Sequence, residues 1–141
     1  MANCNTIRGS RPPKRREGEG CERRTTRCSS AEIDLARACF LPSPENFCPC
    51  QLEEAQRLAD NGFETWRQSA VDTASRYLNN PFIDPCFRGY PAFFVGECKC
   101  CPYTYVVLGV GCAGCMIFEL CQPVREGEGG IFIVRRYGRY C

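Results

Sequence analysis

In the stretch ECKCCPYTYVVLGVGCAGC, Cys98 and Cys101 stand two residues apart, Cys112 and Cys115 likewise, and ten residues separate the pairs. A two-residue gap lets both sulfurs of a knuckle reach one tetrahedral zinc ion at about 2.3 Å, which makes these four thiolates a candidate metal site. Histidine is absent from the chain. Its absence removes the commonest general base and the commonest nitrogen ligand for zinc, so a transition-metal site must use thiolates with at most a carboxylate. Cys-His and Ser-His-Asp catalysis are excluded outright, and no carboxylate is marked as a general acid, so the chain reads as a non-enzyme.

The 14 cysteines in 141 residues permit a second use of sulfur. Their number is even, and they are spread from Cys4, Cys21 and Cys28 through Cys39, Cys48, Cys50 and Cys86 to Cys141. Spread of this kind suits disulfides that fasten segments with little apolar surface, each bridge over a long loop contributing about 2–4 kcal/mol. Between Cys101 and Cys112 the residues PYTYVVLGVG read as one strand, and an extended strand rises about 3.3 Å per residue, which holds the pairs too far apart to share an ion unless the chain reverses near Gly109. Disulfides are therefore the preferred reading and a Cys4 zinc module the alternative. A third use is thiol redox chemistry, for which Cys112-Ala113-Gly114-Cys115 has the dithiol spacing but lies between strands rather than at a helix N-terminus.

These side chains need a scaffold, and 141 residues suit one domain. Residues 1–27 carry eight basic and three acidic side chains, a net +5, whereas the remainder carries ten basic and thirteen acidic ones. The segment is poor in apolar residues and rich in Gly, Pro, Arg and Ser, so it reads as an irregular arm attached to a Cys-rich α+β domain over 28–141. Arg11, Lys14, Arg15, Arg16, Arg23 and Arg24 are its candidate partner-binding residues, for neighbouring protein subunits or a nucleic-acid backbone.

Ser29 and Glu32 have capping-box spacing and predict a helix over about 30–38. A second helix is expected over 51–60 and a third over 63–78, where Phe63, Trp66, Ala70, Val71, Ala74, Tyr77 and Leu78 recur at three- and four-residue steps. From about 91 to 137 the period changes. The runs PAFFVGE, YTYVVLGV, CMIFEL and IFIVRRY, bounded by Gly, Pro or Cys, predict an antiparallel meander. A rival reading inserts 102–118 in a membrane, because that run holds no charged residue. Its 17 residues, rich in Gly, fit a buried hairpin better than a span. The two copies of REGEG, at 16–20 and 125–129, read as mobile turns.

No apolar core of secretory length is visible at the start, and Glu17 and Glu19 fit a transit peptide poorly. With so many cysteines, an oxidising organelle, the extracellular space or a virus particle is the favoured setting. The function expected from all this is a non-enzymatic structural component of a larger complex or particle, stapled by disulfides and docking on its neighbours through the basic arm.

Overall fold

A computed structural model describes residues 33–83, 91–100, 102–110 and 114–140. Among these residues five strands form one antiparallel sheet: β1 (Ala38–Pro42), β2 (Ala92–Cys100), β3 (Tyr103–Val110), β4 (Cys115–Cys121) and β5 (Ile133–Tyr140). Two described helices, α1 (Pro49–Asp60) and α2 (Ala70–Tyr77), lie between β1 and β2. The sheet order is β1-β5-β4-β3-β2. Strands β2 to β5 are the meander expected from the sequence, and β1 is added beside β5 as the far edge.

The α+β class holds, with two adjustments to the helices expected. The helix expected over 30–38 begins outside the described residues. From Ile33 onward its described part is a single 3-10 turn, Leu35–Arg37, capped by the Asp34 side chain and followed by β1. Asp34 takes the Ala36 N–H at 3.0 Å and so closes a short turn that the strand then leaves. The residues of the basic arm, Arg11, Lys14, Arg15, Arg16, Arg23 and Arg24, also lie outside the described range. Finally, the helix predicted over 63–78 is split into a 3-10 turn, Thr65–Gln68, and α2.

Local chemistry accounts for the split. Gly62 has φ +91 and ends α1, and Glu64, at φ 53, keeps the chain left-handed where a helix would have to continue. Ser69 then caps α2, its hydroxyl accepting the Asp72 N–H at 3.2 Å. As a result Phe63 is 61% exposed, not buried, whereas Ala70, Ala74, Tyr77 and Leu78 face the core as their spacing predicts. Trp66 is half-buried, held between the guanidinium groups of Arg67 and Arg76 at 4.5 and 4.4 Å from its ring.

Residues 103–110 and 115–121 are two paired strands, so the charge-free run is a hairpin rather than a helix. Among the described residues no helix is long and apolar enough to cross a membrane. Alternation along these strands divides the core in two. Val106, Leu108, Val110, Met116, Phe118, Leu120, Val134 and Tyr137 meet Ala70, Ala74, Tyr77 and Leu78 of the α2 region on one face. Ile33, Cys98, Cys100, Tyr105, Val107 and Ile117 cluster on the other.

The second REGEG copy is not a mobile turn but a pinned loop. Gly127 and Gly129 adopt positive φ, which glycine alone takes without strain. Around them Gln122 bonds Gly127 and Gly130, Arg125 reaches Asp60 of α1, and the Gly129 carbonyl accepts from both Gln56 and Gln68 at 2.8 Å. Gln56 is only 4% exposed and also accepts the Ile131 N–H at 2.9 Å, so it ties α1 to the chain just ahead of β5.

Candidate functional site

Of the four proposed zinc ligands, Cys101 and Cys112 lie outside the described residues. Cys98 is 1% exposed and disulfide-bonded, whereas Cys115 is a half-buried thiol. The register places Cys98 opposite Tyr105 and Cys115 opposite Gly109 of the same strand. Four residues of strand separate those positions, about 13 Å at 3.3 Å per residue, so Cys98 and Cys115 are not brought to a common point. Cys100 and Cys121 are half-cystines as well. Among the described residues no group of three or more cysteine or carboxylate side chains converges as a metal site.

Strong electrostatics lie elsewhere, on the sheet face away from α2. Glu119 is 1% exposed at the centre of β4. Across the ladder Tyr105, Glu119 and Arg136 stand side by side on β3, β4 and β5. The Tyr105 hydroxyl donates to Glu119 Oε2 at 2.7 Å, Arg136 donates to both carboxylate oxygens at 2.9 and 2.7 Å, and Arg135 bonds Oε1. Two consecutive strand residues ordinarily point to opposite faces. Here the register slips between Glu119 and Leu120, so that Arg136 pairs with Glu119 while Val134 pairs with Leu120. Arg135 is the extra residue of a β-bulge, which allows both arginines to reach one carboxylate.

Burial alone would push the Glu119 carboxyl up. The Arg136 hydrogen bonds and charge, helped by Tyr105 and the Arg135 charge, outweigh this and hold it below the ordinary glutamate range. Burial, followed by the neighbouring Glu119 charge and its hydrogen bond, raises the Tyr105 hydroxyl well above its usual value. Arg136 stacks at 4.2 Å on the Phe40 ring and Arg135 at 5.0 Å on Tyr103. Every polar atom of this carboxylate is occupied by a neighbour, which makes the cluster a fastening between strands rather than a reactive centre. From the sequence the two arginines read only as part of a strand, since a bulge can be seen only by counting residues against the partner.

Among the described residues, surfaces open to other molecules include a cavity and a sheet edge. A cavity of ≈ 250 Å³ is lined by Glu45, Trp66, Arg67, Arg76, Tyr77 and Asn80, among others, and includes no thiol. The sheet edge is that of β2. Among the described strands β2 pairs with β3 only, and its Phe93 and Phe94 are 57% and 54% exposed. Phe93 lies across Gly109 of β3, whose missing Cβ leaves room for the ring. The chain matches no known family model, no curated protein and no solved structure.

Proposed function

We propose that the protein is a non-enzymatic assembly component that joins a second copy of itself along the β2 edge. The observation that carries this reading is the pair of exposed phenylalanines on a strand with one unshared side among the described strands. A nine-residue strand with an open edge and apolar side chains is a template for strand addition, and monomeric proteins usually blunt such edges. Charge supports a second copy as the occupant. Glu97 and Lys99 are two residues apart on one strand face, so antiparallel pairing about a two-fold axis near Cys98 forms a ladder over residues 96–100, sets Glu97 of each copy against Lys99 of the other, and leaves Phe93 and Phe94 to pack just beyond that ladder against the end of the partner's β2. The basic arm then contributes an electrostatic attraction to neighbouring subunits that salt screens.

Light scattering after gel filtration tests this. The native chain is expected to run as a dimer or larger species, Lys99→Glu to dissociate, and the swap Glu97→Lys with Lys99→Glu to reassociate. A chain that is monomeric at all concentrations, or whose assembly ignores both the charge reversal and Phe94→Glu, overturns the β2 reading. Assembly that responds only when the arm's Lys and Arg are changed to Gln assigns the contact to the arm instead.

A further inference from the structure

The two thiols at the start of α1 have no part in either the buried cluster or the β2 edge. Cys48 is the N-cap of this 12-residue helix, Pro49 is its first residue and Cys50 its second. Both cysteines are exposed thiols, and their sulfurs are 2.9 Å apart. That contact is closer than two unrelated surface thiols would keep, and only a sub-ångström approach separates it from the roughly 2.05 Å of a disulfide. Proline at the first helical position fixes the turn between them, because its φ is pre-set for the helix and its missing N–H is not needed there. The Gln51 side chain accepts the Cys48 N–H at 2.9 Å and so closes a capping box. The pair is thus held by the backbone rather than met by chance.

From this geometry we infer that Cys48-Pro49-Cys50 is a thiol–disulfide exchange site whose substrate is a solvent-accessible aliphatic disulfide, R–S–S–R. Its two sulfurs are not equivalent. The Cys50 S–H hydrogen bond and then the helix-start N–H of Gln51 stabilise the Cys48 thiolate and lower its pKa, while Cys50, held as the donor beside that charge, is raised. Cys48 is therefore the attacking sulfur and Cys50 the resolving one. The Cys48 thiolate bonds to one sulfur of the substrate, breaking its S–S bond and releasing RS⁻. Cys50 then gives up its proton and attacks Cys48 Sγ, forming the Cys48–Cys50 bond and releasing the second RS⁻. In sum the substrate disulfide is reduced to two thiols by the two electrons of the dithiol, whose two protons they take up. An open groove of ≈ 430 Å³ beside Cys50, with Ala55 and Leu58 among its lining and Glu54, Glu64 and Arg67 around it, gives the half still attached to Cys48 a place to lie.

The experiment treats the full native chain with oxidised glutathione, quenches it with acid and maps the cysteines by peptide mass. The peptide holding Cys48 and Cys50 should lose two hydrogens and carry no glutathione, two thiols of glutathione being released for each Cys48–Cys50 bond formed. Cys50→Ser should stop at a Cys48–glutathione mixed disulfide with a single thiol released. Cys48→Ser, which keeps a capping side chain at the helix start, should abolish the reaction at this peptide. Cys48 should also be alkylated about tenfold faster than the thiol of reduced glutathione at neutral pH, as its greater thiolate fraction requires. Equal rates at Cys48 and glutathione, or a mixed disulfide in the native chain that never resolves to a Cys48–Cys50 bond, overturns the proposal. A helical circular-dichroism spectrum retained by both serine variants separates loss of chemistry from loss of fold.

Discussion

Phe118 and Glu119 are neighbours on β4, 0% and 1% exposed, yet they are stabilised by different physics. Phe118 points at α2 and packs edge-on against Tyr77, ring centroids 5.9 Å apart, within a face built from aliphatic and aromatic side chains. Glu119 points the other way and is held by two arginines and a tyrosine. On its face lie the half-cystines Cys98 and Cys100. Where a helix supplies an apolar stripe, burial alone suffices, since each buried large side chain contributes about 1.5–3 kcal/mol. On the face away from α2, paired charges and covalent links add to the packing of Ile33, Val107 and Ile117.

Cutting Phe118 back to Ala should have the largest effect, a loss of about 3–5 kcal/mol in chemical denaturation. Because no charge is removed, this loss should be the same at pH 4 and pH 7. Equality of the two values is the sharper part of the prediction.

Glu119→Gln should cost about 3 kcal/mol at neutral pH, because it leaves partly buried guanidinium groups without their carboxylate. This loss should depend on pH. The folded-state pKa of Glu119 is depressed, so its contribution is complete above the ordinary glutamate value of about 4.3 and is lost as pH falls through the folded value. Unfolding curves should therefore converge for the native chain and the Gln variant in acid. Tyr105 gives the opposite limb. Its folded pKa is raised, so the stability it contributes is present below about 10 and is lost as pH rises beyond that. A Gln variant that tracks the native chain in parallel from pH 2 to 7 would show that Glu119 is not the ionised partner described.

The smallest effect is expected at Trp66→Ala, about 1 kcal/mol, because the ring is half-buried between Arg67 and Arg76 rather than enclosed by the core. Thermal melts resolve a difference of that size. A loss of 3 kcal/mol or more would place Trp66 with Phe118 in energetic terms.

Strands β2 to β5 could be read from the chain because apolar and β-branched runs of strand length are interrupted by Gly, Pro and Cys, and burial then fixes the register. The class and the apolar face of α2 followed from the same patterning. Strand β1 was hidden, since ACFLP is short, ends in proline and gains its order only from β5, about a hundred residues away in sequence. Phe63 and Trp66 share the three- and four-residue spacing of the buried residues of α2 but not their burial, because that spacing runs on through the point where Glu64 turns left-handed and Ser69 starts a new helix. Counting cysteines as staples obscured Cys48 and Cys50, although Pro49 between them and Gln51 after them carry the signature of a helix start. The bulge at Arg135 had no sequence signal at all.

Pairing of β1 with β5 joins Ala38 to Tyr140 and Pro42 to Arg136, the longest loop closed anywhere in the sheet. Hairpins β2–β3 and β3–β4 need only a few residues of intervening chain and can form as soon as they leave the ribosome. Strand β1, by contrast, is translated well before β5, the strand it pairs with. During that interval its Phe40 and Leu41 are carried by an unpaired segment, and the entropy of closing so large a loop must be met before any ladder bond rewards it. Completion of the sheet is thus tied to translation of residues 133–140. A ribosome halted before Ile133 would display β1 as a sticky, protease-sensitive strand, and a chaperone able to hold extended apolar segments would find its client there.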